Sequence, residues 1–97
     1  MASEPKRYSI LLKPAAERAL ASLSAKNRKL VAKKIDALAL NPRPNGVEKL
    51  KGSDDLYRVR SGDFRIIYQI LDEVLRVLVV VIGDRKDIYD RLKRLLE

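Results

Sequence analysis

The sequence predicts an α+β domain: a twisted antiparallel sheet packed against an N-terminal helical hairpin, in the order β-α-α-β-β-β-α. Two observations carry that prediction. Apolar residues recur at helical spacing up to Leu40 and at strand spacing after Gly46, with Asn41-Pro42-Arg43-Pro44-Asn45-Gly46 as the break between them. Beyond it, Gly62-Asp63 and Asp72-Glu73 separate three apolar runs so tightly that they must form an antiparallel meander. Ninety-seven residues make one domain, 1–97, and a 46% hydrophobic content can supply its core.

Residues 1–5 are polar and are expected to be disordered. Lys6–Leu12 alternates and then turns apolar, a candidate first strand. Pro14 suits the first turn of a helix, and Ala16, Ala19, Leu20 and Leu23 form an apolar stripe along Ala15–Leu23. Ser24 can end that helix and cap the next. Ala25–Leu40 buries Val31, Ile35 and Leu38 and carries Lys26, Lys29 and Lys33 on another face. So short a connection makes the two helices an antiparallel pair.

Val47–Lys51 reads as a weak extended segment. Leu56–Arg60, Phe64–Leu71 and Val74–Ile82 are the strong strands. Val77–Ile82 is apolar on both faces and is expected to be the most central of them. Residues 88–97 form a short C-terminal helix, with Ile88, Leu92 and Leu95 at helical spacing. The helical hairpin should cover one face of the sheet and leave the other partly open.

Charge sets the functional question. There are 21 Lys and Arg against 13 Asp and Glu, a net charge of +8, which favours a polyanionic partner. The absence of histidine removes the commonest general base and metal ligand, and the absence of cysteine fits a reducing, cytoplasmic setting. The longest apolar run, Val77–Ile82, is too short to span a bilayer, so no membrane partner is expected. Asp63, Asp72, Asp84 and Asp87 are scattered over loop ends, so neither a metal nor another cofactor is expected.

The segment Tyr57-Arg58-Val59-Arg60-Ser61-Gly62-Asp63-Phe64-Arg65-Ile66-Ile67-Tyr68 concentrates that charge. Counting outward from the turn sets Arg60 opposite Arg65 and Arg58 opposite Ile67. Like charges directly opposed are destabilising. Strand alternation sends Arg58, Arg60 and Arg65 to the open face and Phe64, Ile66, Tyr68 and Ile70 to the helices. Arg85 and Tyr89 lie one helical turn apart after the last strand and can reach the same face. Arginine matches phosphate oxygens bidentately, and tyrosine can stack on a base or donate a hydrogen bond, so the set suits phosphoryl chemistry on RNA. The same arginines could also be solvated, or pair with Asp54, Asp55, Asp63 or Asp84. Lys49 and Lys51 fit either a surface or an RNA contact.

Three motifs in order then make the chain resemble the RelE/ParE superfamily of toxin–antitoxin toxins, its RelE branch in particular. They are Lys49-Leu50-Lys51-Gly52 followed by Leu56-Tyr57-Arg58-Val59-Arg60, then Gly62-Asp63-Phe64-Arg65-Ile66-Ile67-Tyr68, then Asp84-Arg85-Lys86-Asp87-Ile88-Tyr89. The resemblance implies a ribosome-dependent endoribonuclease that cuts mRNA in the A site without a metal and leaves a 2′,3′-cyclic phosphate. It implies that Arg65 stabilises the scissile phosphate, Arg85 assists the leaving 5′-oxygen, and Tyr89 orients the 2′-hydroxyl. Arg58 and Arg60 stand where the best-studied branch has lysines, so Arg60 would act electrostatically rather than as a base. Asp84 stands at a position that is often histidine in relatives. Lys26, Lys29, Lys33, Lys49 and Lys51 would contact RNA. The implied partners are a cognate antitoxin, mRNA and the ribosome through its 16S ribosomal RNA. A ParE-like gyrase inhibitor on the same fold, or a catalytically weak RNA- or ribosome-binding module, is the alternative.

Overall fold

The computed structural model describes residues 7–52 and 55–96. The expectation for residues 1–5 lies outside them. Strand β1 (Ser9–Leu12) is followed by α1 (Pro14–Ser22) and α2 (Ala25–Ala37). Strands β2 (Glu48–Lys49), β3 (Leu56–Ser61), β4 (Phe64–Leu71) and β5 (Arg76–Asp84) come next, and α3 (Ile88–Leu96) closes the chain. The Val47–Lys51 segment thus adds a two-residue edge strand to the expected order.

Local chemistry explains the helix boundaries. Pro14 opens α1, and the Ser24 hydroxyl caps α2 by accepting the Asn27 N–H at 3.3 Å. Helix α2 stops at Ala37, three residues short of the expected end. Leu38–Leu40 tighten into turns that bond back three residues, and the Ala39 carbonyl is passed to the Tyr8 N–H at 2.7 Å. Leu38 still buries its side chain with Val31 and Ile35.

The sheet has five strands in the order β1-β5-β4-β3-β2. Its meander is antiparallel as expected, but β1 pairs in parallel with β5, so the sheet is mixed. The central strand is β4 rather than β5. Strand β5 is apolar on both faces because both faces are covered. Helices α1 and α2 pack over Val77, Val79 and Ile82, while α3 seats Ile88 and Leu92 against Val80, Val81 and Ile67. The face expected to stay open is therefore half closed by α3, and only its outer part, along β3, remains exposed.

Two irregularities adjust the meander. The connection from β4 to β5 is a 3-10 turn, Asp72–Val74, followed by Leu75 in the left-handed region at φ 50°, so β5 starts at Arg76 and not at Val74. Within β5, Ile67 pairs with Val81 and Tyr68 with Val79, leaving Val80 as an extra residue. This bulge puts Val80 and Val81 on the same side and reverses the alternation beyond them. Gly83 is thereby aligned with Arg65 and lies under α3. A Cβ at Gly83 would come within 3.1 Å of the Arg91 Cδ, so glycine lets α3 lie close over the strand end.

Candidate functional site

The hairpin β3–β4 turns through Gly62 at φ 60°, the left-handed value that a two-residue turn with glycine first requires. That turn fixes the register, with Arg60 opposite Arg65 and Arg58 opposite Ile67, as the residue count predicts. Each of the two opposed guanidiniums bonds a backbone carbonyl. Arg60 Nε donates to the Gly62 carbonyl at 3.1 Å, and Arg65 donates to the Phe64 carbonyl at 3.3 Å. Among the described residues neither has a carboxylate partner.

Arg85 lies in the exposed turn just past Asp84, which pairs with Phe64 at the same end of the hairpin. Asp84 builds that turn: its Oδ1 accepts the N–H groups of Lys86 at 2.9 Å and Asp87 at 2.8 Å. The Asp84 carboxylate thus shapes the backbone that presents Arg85.

Tyr89, in the first turn of α3, reaches β3. Its hydroxyl accepts a hydrogen bond from Arg58, whose guanidinium lies 5.9 Å from the ring centroid. The other arm of Arg58 binds the Glu48 carboxylate from β2. Glu48 is the residue that sequence reasoning missed. Its signal is the register alone, which sets Glu48 opposite Arg58 and Lys49 opposite Tyr57. Lys49 therefore projects from the helix-side face, away from the arginines.

The remaining lysines divide. Lys26, Lys29 and Lys33 are exposed on α2 and Lys51 in the turn after β2. A shallow groove between α2 and the β3–β4 turn joins Lys33 and Lys34 to Arg60. A larger cleft lies elsewhere, between α1 and α3 over Val80–Ile82, and mixes Arg18, Arg91 and Arg94 with Asp87 and Asp90. Its cations are largely offset by carboxylates, and it touches none of the hairpin arginines. Among the described residues no three carboxylates gather as a metal site, and no helix is long and apolar enough to cross a membrane.

Residues 10–89 match the family model of the ParE toxin of type II toxin–antitoxin systems. The chain belongs to the RelE/ParE toxin superfamily. The mRNA interferase toxin RelE of Escherichia coli K12 is 34% identical over 74 residues, 71% of this chain and 77% of that protein. Among solved structures, the archaeal RelE–RelB complex from Pyrococcus horikoshii superposes with a TM-score of 0.73 at 28% identity, covering 81% of this chain and 96% of that one. A free-state mutant of E. coli RelE gives 0.74 at 28% identity, covering 92% and 98%. The superfamily's fold is the one described above.

Proposed function

We propose that this chain is the toxin of a type II toxin–antitoxin system and acts in the cytoplasm as a ribosome-dependent endoribonuclease, cutting mRNA in the A site. The observation that carries the reading is a set of cations held without carboxylate partners, among the described residues, at one end of the β3–β4 hairpin: Arg60, Arg65 and Arg85. Tyr89 stands beside Arg58 on the same side. Unpaired arginines that repel one another lower stability, and a phosphate between them would offset the repulsion. The relative named an mRNA interferase supports the substrate class.

In this reading no metal is needed. Arg65 would bind the scissile phosphate and the charge that develops on it, and Arg85 would stabilise the departing 5′-oxygen. Tyr89 would orient the ribose 2′-hydroxyl or stack on its base. The product would be a 2′,3′-cyclic phosphate. Lys26, Lys29 and Lys33, with Lys51, would hold ribosomal RNA, and the groove from Lys33 to Arg60 would join that surface to the mRNA path. A cognate antitoxin would neutralise the toxin, as the RelB complexes of the archaeal and E. coli relatives suggest by their composition.

Expression in bacteria with an immediate readout tests the reading. Translation arrest with mRNA cut at codon positions supports it. DNA damage with an SOS response would instead support gyrase inhibition, the reading favoured by the ParE description of the matched family model.

A further inference from the structure

The groove between α2 and the β3–β4 turn combines charge with an apolar surface. Lys33, Lys34 and Arg60 line it, and no carboxylate does. Among the described residues none of the three has an ion-pair partner. The cleft between α1 and α3 is the contrast, since Asp87 and Asp90 stand there among the arginines. Leu30 lies three and four residues before Lys33 and Lys34, so the three share one face of α2. It is 49% exposed there and forms part of the groove wall. Across from it the turn contributes Gly62, where an added Cβ would meet no atom within 4 Å. The groove encloses about 420 Å³, within the range of about 300–1,000 Å³ that small ligands occupy. Arg60 belongs to two places at once. Its Nε folds back onto the Gly62 carbonyl beside the groove, while its position on β3 is opposite Arg65.

We propose that this groove seats one unpaired nucleotide of the mRNA, next to the phosphate that is cut, an inference that rests on the nuclease reading above. The base lies on Leu30, and the phosphate of that nucleotide is held by Lys33, Lys34 and Arg60. Duplex RNA cannot use the seat. Its base faces are stacked on one another, so only its phosphates reach the lysines. Arg60 fixes where the nucleotide sits along the strand, because the chain that leaves the groove past Arg60 runs directly to Arg65. Ribosomal RNA is left to Lys26 and Lys29, farther back along α2.

Two arms test it. In the first, the free protein binds a labelled single-stranded oligoribonucleotide or an RNA duplex, followed by fluorescence anisotropy, with melting in parallel. Leu30→Ser should weaken the single strand about fivefold or more and the duplex less than about twofold, with melting unchanged. The double variant Lys33→Ala, Lys34→Ala should weaken both and flatten their salt dependence. In the second arm, wild type meets ribosomes whose mRNA is 2′-O-methylated in the A-site codon, so that it stays uncut, and carries 4-thiouridine there. Irradiation should crosslink that mRNA to residues 30–37 or 60–62. Equal losses for single strand and duplex overturn the inference. So does a Leu30→Ser protein that binds both like wild type, which leaves the groove to a protein partner. Crosslinking of these residues to 16S ribosomal RNA and not to mRNA overturns it too. Each of these results leaves the nuclease reading standing where unmodified mRNA is cut. A wild type that leaves unmodified mRNA intact overturns both.

Discussion

The two ends of strand β4 treat arginine in opposite ways. At the far end, Arg43 is fully engaged. It grips both oxygens of Asp72, at 2.9 and 3.3 Å, and lies 5.3 Å over the Tyr57 ring. Tyr57 stacks on Tyr68 at 6.1 Å, the Tyr68 hydroxyl donates to the Pro42 carbonyl at 2.7 Å, and Tyr8 donates to Asp72. This cluster ties β1, the 41–46 loop and the β4–β5 turn together. At the near end, Arg60 and Arg65 face each other and, among the described residues, hydrogen-bond backbone carbonyls and no carboxylate. One arginine is tied into the fold by a carboxylate and an aromatic ring, and the opposed pair is not. The contrast separates paired from unpaired charge more clearly than exposure does, since Arg43 is itself nearly half exposed.

Titration follows the same division. Asp72 raises the affinity of Arg43 for its proton, and its hydrogen bond raises the Tyr8 hydroxyl as well. Burial raises the Tyr68 hydroxyl strongly. A tyrosine that ionises less readily when folded favours the unfolded chain once the pH passes its ordinary value of about 10.

Substitutions at the two ends should therefore have opposite signatures. Arg65→Ala should cut single-turnover cleavage by about 10²-fold or more, with melting unchanged within about 0.5 kcal/mol. Tyr68→Phe should cost about 1–3 kcal/mol in urea unfolding, because the buried Pro42 carbonyl loses its donor, and should leave cleavage intact. Wild-type stability should be constant with respect to Tyr68 below pH about 10 and fall above it by about 1.4 kcal/mol per pH unit. Tyr68→Phe should remove that part of the alkaline loss, which denaturation at several pH values would reveal. Asp72→Ala should cost about 1 kcal/mol, since the pair is half exposed. Arg60→Ala should raise stability by a few tenths of a kcal/mol through relief of the opposed charges. An Arg60→Ala variant that melts lower would show the near end to be structural after all.

Much of this contrast is legible in the sequence, but unevenly. The hairpin register follows from Gly62-Asp63 and strand alternation, and with it the shared face of Arg58, Arg60 and Arg65. Ser24, Pro14 and the loop prolines mark the helices. The bulge at Val80 is hidden because Val79-Val80-Val81 offers no alternation from which a change of phase could be read. The cover that α3 gives to β5 depends on that bulge and on Gly83, so the face appeared more open in sequence than it is in the fold. The Arg43 cluster joins residues far apart in the chain, which local patterns do not connect. Glu48 lies on a two-residue strand too short to show a period, and only pairing with β3 assigns its face.

The most direct test of the division is the cleavage rate of A-site mRNA on purified ribosomes by Arg65→Ala and Arg43→Ala, each read against its own melting curve. Arg65→Ala should lose cleavage by about 10²-fold or more while melting like wild type. Arg43→Ala should melt lower and still cleave. An Arg65→Ala protein that cleaves at the wild-type rate would contradict the account.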